Sequence, residues 1–437
     1  MEITLDNLQR VLTEQVEVLL KLPKSVGLTT PVTNKMTEIL AEISGVSADF
    51  NMSDWSDKST AYGIAISPVQ AARCCRETLR TQVFLKGVLQ AIQDALKKQQ
   101  TVHLLYAGTG PFGTIVLPLL FMFTAKQLQV TLLDIHQENI DAIRRVVTAL
   151  GIEQQIKEYV CADASCWQPE DGEEFDIVVS ETMNTFLRRE PQVAIFAHLQ
   201  QFLIPDGVLI PENIKLDSWL MDETSLTVSD NLVTHIGEVF SLNKKSAKQV
   251  HEQGFDALKG NLQLPVLDKL SSKIAFTTRI QVYGEHQLLD GECSLNMLEV
   301  VHSLDLRSEQ KVDYFYAQQP VVKFVFDLPL YQPEQDLVAI TDYGRLKINH
   351  IKRMWHKFQS QRYGQQDTQL IEHEWPLDML LVKFIGGELY QWLTYLHQER
   401  LVFSVFEQWL ETQFGPFSEE KLKKINKQLL DKYAELN

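Results

Sequence analysis

Two glutamates nine residues apart are the side chains in this sequence best placed to do chemistry together. Glu181 ends the predicted strand Phe175–Glu181, and Glu190 closes the run E-T-M-N-T-F-L-R-R-E that begins with it. Two carboxylates held close together raise the pKa of one of them unless a cation lies between them. We therefore predict that this pair of acids, if it is held close together, binds a cation.

Both glutamates also have a simpler, structural explanation. Glu190 would cap the helix that is predicted to begin at Pro191. Glu181 would pair with Arg188 or Arg189 in the same loop. The sequence alone leaves both explanations open.

A glycine-rich turn lies upstream of this loop, in the run L-L-Y-A-G-T-G-P-F-G. Gly108, Gly110 and Gly113 follow an apolar strand and precede an apolar stretch that is predicted to be helical. Glycine lets the backbone approach a ligand with no side chain in the way, and this order of strand, turn and helix is typical of nucleotide-binding folds. Tyr106 and Phe112 are bulky residues in the same run, and rings that filled the turn would exclude a nucleotide.

Two aspartates end the next two predicted strands. Asp134 follows the glycine turn at the point where an acid can accept hydrogen bonds from both hydroxyls of a ribose. It could instead cap the helix predicted over Gln137–Leu150. Asp163 could accept a hydrogen bond from the amino group of an adenine, with the small Ala164 leaving room for the ring.

One arginine precedes the glycine turn in a position to bind an anion. Arg80 lies in the predicted helix Val69–Leu96. An arginine fixed on a helix beside such a turn can bind a carboxylate through two parallel hydrogen bonds. The alternative is an ordinary surface charge.

The elements that position these residues alternate between strand and helix. Four predicted strands, each followed by a polar residue or a glycine turn, and a fifth at Gly207–Pro211 indicate an α/β fold. Such a doubly wound sheet binds its ligand at the carboxyl ends of the strands. The stretch up to Ile43 has helical spacing, and Ser44–Ser67 is a polar loop that could order over a ligand as a lid.

From about residue 212 the pattern changes. Lys273–Tyr283 and Val321–Leu328 alternate and are rich in β-branched and aromatic residues, which predicts strands. Thr224–Leu270 could carry a helical arm, and helical periodicity returns from about residue 366. We predict an N-terminal helical region over 1–98, an α/β domain over 99–215, a mainly β (barrel-like) substrate or dimerisation domain over 216–362 and a C-terminal helical segment over 363–437.

Charge and cysteine content exclude several classes of protein. The net charge of -16 repels a phosphate backbone and argues against nucleic acid as the main partner. The five cysteines are odd in number and form no C-x-x-C pair, which argues against disulfides and a metal site and favours a reducing compartment. The amino terminus does not read as a signal peptide, and the most apolar run, Ile115–Ala125, is too short to span a bilayer. We expect a cytoplasmic protein with no membrane partner and no metal.

Taken together, residues 76–216 resemble the class I S-adenosylmethionine-dependent methyltransferases, and within them the protein arginine methyltransferase branch. The pair Arg80-Thr81, the glycine turn and Asp134 match the order of the family's cofactor motifs. The most specific likeness is the branch's double-E loop, S-E-x-M with a second glutamate nine residues after the first, which here is S-E-T-M and Glu190. The run L-I-P-D-G-V-L-I-P also resembles a family pattern.

The resemblance implies a Rossmann-like methyltransferase domain that uses S-adenosyl-L-methionine. It implies that Glu181 and Glu190 are the catalytic pair and that Met183 contacts the substrate. The acceptor would be a guanidino or amino nitrogen of a small molecule or peptide. The residues implied to bind the cofactor are Arg80, Gly108, Gly110, Asp134, Asp163 and Ala164.

Other readings of the same motifs stay open. One is O- or C-methylation of a small natural product, with Glu181 as general base. Another is a catalytically inactive, regulatory module that binds the cofactor. The family's active-site histidine has no T-H-W counterpart here, and neither His350 nor His356 is a convincing substitute. A homodimer is compatible with the resemblance.

Overall fold

The amino-terminal part of the chain consists of helices and one small hairpin. The computed structural model describes residues 5–49, 56–170, 172–222, 228, 233–266, 272–304, 306, 310–318, 321–329, 346–348, 350–352, 354–355, 368–398 and 403–436. Its first elements are α1 (Leu5–Lys21), α2 (Val26–Ser44), the hairpin β1 (Lys58–Thr60) and β2 (Gly63–Ala65), α3 (Pro68–Arg73) and α4 (Thr78–Leu96). The single helix predicted over Val69–Leu96 is therefore wrong. A 3₁₀ turn at Cys74–Arg76 and the non-helical backbone of Glu77 divide it into α3 and α4.

A five-stranded parallel sheet follows. Its elements are β3 (Val102–Ala107), β4 (Leu128–Asp134), α5 (Gln137–Leu150), β5 (Ile156–Cys161), β6 (Phe175–Ser180), α6 (Gln192–Leu199) and β7 (Leu203–Ile210). The strand order is β5-β4-β3-β6-β7. The chain moves outward from β3 to β5 and then returns to the other side of β3. Because crossovers between parallel strands are right-handed, this reversal places the connections on opposite faces and opens a crevice at the carboxyl ends of β3 and β6. The predicted doubly wound α/β sheet is confirmed.

The sequence specifies these elements through their apolar spacing. Ile140, Ile143 and Val147 recur on one side of α5, and all are buried. The stretch after the glycine turn differs from the predicted helix, since it forms only a short 3₁₀ segment, Leu117–Met122, that has Pro118 at its start.

The part that follows β7 is mainly β in the described residues. It contains β8 (Asn213–Asp222), β9 (Val233–Asn243), α7 (Lys244–Gln253), β10 (Gly260–Leu264), β11 (Ser272–Tyr283), β12 (His286–Leu288), β13 (Glu299–Leu304), β14 (Gln310–Ala317) and β15 (Lys323–Phe326). One antiparallel sheet has the order β12-β11-β8-β9 with β13 also paired to β11, and the other has the order β10-β14-β15. The described strands thus form two separate sheets, and closure into a barrel stays a prediction.

The C-terminal helices enclose a hydrophobic cluster of their own. They are α8 (Thr368–Ile385), α9 (Leu389–Gln398), α10 (Phe403–Phe414) and α11 (Glu419–Leu436). Leu381, Trp392, Phe406 and Leu410 are almost completely buried within this cluster. No helix in the described part of the chain is long and apolar enough to cross a bilayer. The domain boundaries given above stay predictions.

Candidate active site

A cavity of about 580 Å³ opens at the carboxyl ends of β3, β4, β5 and β6. This volume lies in the range that holds a nucleotide-sized ligand together with a small second compound. The hairpin β1–β2 and helices α3 and α4 supply other walls, and Ser294 and Leu295 of the β region complete the lining. Every residue that the sequence nominated for the site lines this cavity: Arg80, Gly108, Gly110, Asp134, Asp163, Ala164, Glu181, Met183 and Glu190.

The glycine turn forms the floor of the cavity. Gly108 and Gly110 have φ angles of 76° and 58°, in the left-handed region that favours glycine. The N–H of Gly110 donates to Oδ2 of Asp134 over 2.9 Å, which ties the turn to the end of β4.

Asp134 is buried and makes four hydrogen bonds. Its Oδ2 accepts from the Gly110 N–H and, at 3.3 Å, from the Thr109 hydroxyl, while its Oδ1 accepts from the His136 N–H and the Asn139 amide at 2.8 and 3.0 Å. These bonds fill the acceptor sites of the carboxylate. A ribose would therefore have to replace some of these donors, so Asp134 shapes the turn as well as facing the cavity.

The two positions nominated for an adenine are adjacent at the end of β5. Oδ1 of Asp163 accepts from the N–H and the hydroxyl of Ser165 at 2.9 and 2.7 Å, which leaves Oδ2 without a protein donor in the described structure. Ala164 is buried against the core and lines the cavity. A free carboxylate oxygen beside a small residue suits a flat ring that carries an amino group.

The two bulky residues of the glycine run do not fill the cavity. Phe112 is buried in the core and is not part of the lining. Tyr106 lines the wall with its hydroxyl directed at the carbonyl of Thr109, 3.4 Å away. Neither ring therefore closes the cavity to a nucleotide.

Arg80 lies between two carboxylates. Its Nη2 donates directly to Oε2 of Glu181, and its Nη1 lies 3.6 Å from Oε2 of Glu77. The side chains of Arg80 and Glu181 are only 8% and 10% exposed, so the pair is largely removed from solvent. Oε1 of Glu181 is buried and has no hydrogen-bond partner in the described structure. An unpartnered buried oxygen beside a cavity marks a position for a donor from a ligand.

The two glutamates of the loop hold their protons more tightly than ordinary carboxyls. Burial raises the pKa of Glu181 to about 7, although Arg80 opposes the shift. Burial, with repulsion from Glu181, raises the pKa of Glu190 to about 8. Arg80 and Arg189 reduce this shift without cancelling it. Burial therefore outweighs the nearby arginines, and both carboxyls are protonated up to a higher pH than ordinary ones.

The loop between the two glutamates has an unusual backbone. Phe186, Leu187 and Arg189 have φ angles of 58°, 54° and 69°, although none is a glycine. Each such residue costs on the order of 1 kcal/mol or more and persists only where its surroundings enforce it.

The β region provides that enforcement. The Phe186 N–H donates to the Thr278 hydroxyl, and the Arg189 N–H donates to the Val322 carbonyl, at 3.0 and 2.7 Å. The Tyr316 hydroxyl donates to the carbonyl of Leu187 over 2.5 Å. The ring of Phe186 packs against Phe276, Phe324 and Phe326. The β region therefore helps to fix the loop that carries Glu181 and Glu190.

The structure does not show the contacts of the simpler explanation, in which Glu190 caps the next helix and Glu181 pairs with Arg188 or Arg189. Helix α6 begins at Gln192 after Pro191, without a side-chain cap, and Glu190 precedes it. Glu181 pairs with Arg80, while Arg188 pairs with Glu299 at 2.7 Å.

Sequence reasoning missed three parts of the site. Glu77 and Ser294 meet across 217 positions in the chain, a separation that no local pattern reveals. The hairpin β1–β2 also lines the cavity, and the Ile64 N–H donates to the Arg189 carbonyl over 2.6 Å. Glu77 was detectable, because an acid three residues before Arg80 on a helix lies on the same face.

Other candidate groups stay outside this chemistry. His350 pairs with Asp378 at 3.0 Å beside the C-terminal helices, and His356 lies outside the described residues. Burial raises the pKa of the cavity-lining Cys74 to about 12, so this thiol stays neutral. The described part of the chain contains no group of three or more His, Cys, Asp or Glu residues that could hold a metal.

Gly108→Ala tests whether the glycine turn binds the ligand. A Cβ at this position would lie 2.3 Å from Cγ2 of Thr182, whose N–H is held by Gln192 at 2.8 Å. If the cavity binds the cofactor that the sequence resemblance implies, the affinity for S-adenosylhomocysteine, measured by calorimetry, should fall at least about tenfold. Gly172→Ala is the matched control, because Gly172 has a φ of 79° and open space around it. Equal affinities of the two variants would contradict the assignment.

Comparisons with known proteins give a distant likeness in structure. No family model matches the chain, and no curated protein matches it in sequence. The Trypanosoma brucei PRMT1 enzyme–prozyme heterotetrameric complex with AdoHcy has a TM-score of 0.41 and 13% identity, over 58% of this chain and 91% of that chain. An open conformation of Arabidopsis thaliana protein arginine methyltransferase 10 has a TM-score of 0.38 and 11% identity, over 57% of this chain and 90% of that chain. At these scores the likeness carries no argument, and the fold is assigned from the strand order described above.

Proposed function

We propose that this protein is an S-adenosylmethionine-dependent methyltransferase that methylates a guanidino or amino nitrogen, on a small molecule or a peptide. The observation that carries the proposal is a pair of partly buried glutamates on one loop, with raised pKa values, that line a cavity at the carboxyl ends of the sheet.

The residues present fit the cofactor. The left-handed glycines Gly108 and Gly110 leave the floor of the cavity without side chains, and Arg80 has one nitrogen, Nη1, beyond hydrogen-bonding distance of Glu77. Arg80 would hold the carboxylate, Asp134 the ribose, and Asp163 with Ala164 the adenine. The buried, unpartnered Oε1 of Glu181 lies at the side where a cationic acceptor would bind.

The glutamates would orient the acceptor and remove its positive charge from the reacting nitrogen. S-adenosylmethionine supplies a methyl group activated on a sulfonium. A guanidinium must direct a nitrogen lone pair along one line, and two carboxylates can hold its planar fork in that orientation. The acceptor nitrogen gains a methyl group and loses a proton, and a carboxylate whose pKa lies near 7 or 8 can accept that proton close to neutral pH.

The proposal that the acceptor is a cation is based on the charge of the two glutamates. The pKa values of Glu181 and Glu190 stay raised although Arg80 and Arg189 lie nearby, and such a pair of acids favours a cation over a neutral hydroxyl or carbon acid. We also propose a cytoplasmic location and a homodimeric assembly.

Asp134→Ala tests the cofactor part of the proposal. The variant loses the acid that faces the ribose and also frees four donors around the turn. We expect calorimetry to show S-adenosylhomocysteine binding to the wild type and an affinity at least about tenfold lower for the variant. Asp141→Ala, at an exposed position on α5, is the control and should bind normally.

The acceptor part needs a separate measurement. Transfer of a labelled methyl group to free arginine and to arginine-containing peptides should be detected with the wild type. Cofactor binding with no product from any amine would favour the inactive, regulatory module. Labelled oxygen or carbon products would favour the other methyltransferase classes.

A further inference from the structure

Ser294, in the β region, donates hydrogen bonds to both carboxylate oxygens of Glu77, the acid beside Arg80. Ser294 lines the cavity at the start of the short 3₁₀ segment Ser294–Asn296. Its N–H donates to Oε2 of Glu77 over 3.1 Å, and its hydroxyl donates to Oε1 over 2.5 Å. One serine thus binds the carboxylate at two points.

The same serine contacts the loop that carries the two glutamates. Its carbonyl accepts a 2.6 Å hydrogen bond from the hydroxyl of Thr185. Ser294 therefore connects the helix that carries Arg80 with the loop that carries Glu181.

The geometry around Arg80 shows what this connection achieves. Glu77 directly precedes the first residue of α4 and lies three residues before Arg80. Its Oε2 is 3.6 Å from Nη1 of Arg80. This separation exceeds a direct hydrogen bond. A carboxylate next to a buried guanidinium would ordinarily close to a direct, charge-assisted pair. Here both of its oxygens are already satisfied by Ser294.

We propose that Ser294 is a positioning residue for cofactor binding: it holds Glu77 back from Arg80 and so keeps the Nη1 nitrogen available for an incoming carboxylate. The inference rests on the proposed function, because the carboxylate in question is that of the S-adenosylmethionine methionyl group. The hydroxyl is the side-chain part of this hold, because the N–H that binds Oε2 belongs to the backbone. Without the hydroxyl, Oε1 would be free and the Glu77 carboxylate could turn to pair with Nη1 while Glu181 keeps Nη2. The guanidinium would then be fully occupied by the protein's own acids.

A double-mutant cycle separates this role from simple tethering of the two domains. Ser294→Ala removes the hydroxyl bond to Oε1 of Glu77 and keeps the N–H bond to Oε2. If the hydroxyl acts through Glu77, this variant should weaken S-adenosylhomocysteine binding about tenfold. Glu77→Gln removes the competing charge and should bind at least as tightly as the wild type. The double variant should then bind like Glu77→Gln alone. If Ser294 only joins the domains, the double variant should be as weak as Ser294→Ala or weaker, which would overturn the proposal.

Isothermal titration calorimetry with S-adenosylhomocysteine gives the readout, with thermal melting to show that each variant is folded. Ser294→Thr retains both donors and should restore wild-type affinity. Ser47→Ala is the matched control, since Ser47 is exposed, bonds only locally to the Asp49 N–H and does not line the cavity.

The outcomes distinguish this inference from the function on which it rests. A wild-type protein that binds no S-adenosylhomocysteine would overturn both. A wild type that binds it, with an unchanged Ser294→Ala affinity, would overturn the role of Ser294 alone.

Discussion

Glu181→Gln is expected to lower kcat for methyl transfer to a guanidino acceptor by about 10²- to 10³-fold. The glutamine keeps the shape of the side chain but cannot hold a cation or take a proton, so the acceptor nitrogen loses its orientation and its base. Transfer of labelled methyl groups to an arginine-containing peptide, at saturating concentrations of both substrates, measures the effect.

Cofactor binding should respond in the opposite direction. Glu181 is the direct partner of Arg80, and its neutralisation leaves the buried guanidinium short of negative charge. A carboxylate from the ligand would make up that charge, so the S-adenosylhomocysteine affinity of Glu181→Gln should equal or exceed that of the wild type. A variant that loses activity and cofactor binding together would point to collapse of the site, and a fully active variant would refute the catalytic assignment.

The second large effect concerns pH. At a pH below its pKa each glutamate is neutral and cannot hold a cation. The pKa values, about 7 for Glu181 and about 8 for Glu190, are higher than those of ordinary carboxyls. The sign is therefore fixed: kcat/KM for the acceptor should rise with pH through this range, by at least about a hundredfold between about pH 6 and pH 9. The two groups interact, so the profile reports the pair as a unit.

Glu190→Gln provides the control for that profile. It removes one of the two titrations and the repulsion that Glu190 exerts on its neighbour. The rising limb should become shallower and shift toward lower pH, while kcat/KM at the plateau falls. A profile that is flat from about pH 6 upward, or that declines, would show that neither carboxylate must be ionised.

The ends of the parallel strands, and the residues that follow them into the cavity, could be predicted from the sequence. Apolar runs define β3, β4 and β6, and the carboxyl ends of parallel strands meet at one edge of a sheet. Asp134, Asp163 and the glutamates of the loop therefore share a cavity because of connectivity that the hydrophobic pattern already encodes.

Long-range contacts account for what the sequence could not show. Ser294 reaches Glu77 only because β11 and its neighbours pack against α4, and no local spacing indicates that meeting. The sequence also could not show that the carboxylate of Asp134 is hydrogen-bonded within the protein. An aspartate at the end of a strand can face a ribose or hold its own turn. The sequence also could not show that the predicted helix Val69–Leu96 is divided at Glu77. The break is a non-helical backbone conformation of a residue whose type does not disfavour a helix.

The left-handed residues of the loop bear on how a methyltransferase of the proposed kind could acquire a new acceptor. Phe186, Leu187 and Arg189 take their conformation from partners on β11, on β14 and at Val322. Transplanting the ten-residue loop into another scaffold would carry over the acids but not the framework that shapes them. Evolutionary change in acceptor choice is therefore more accessible through the walls that surround the loop than through the loop itself.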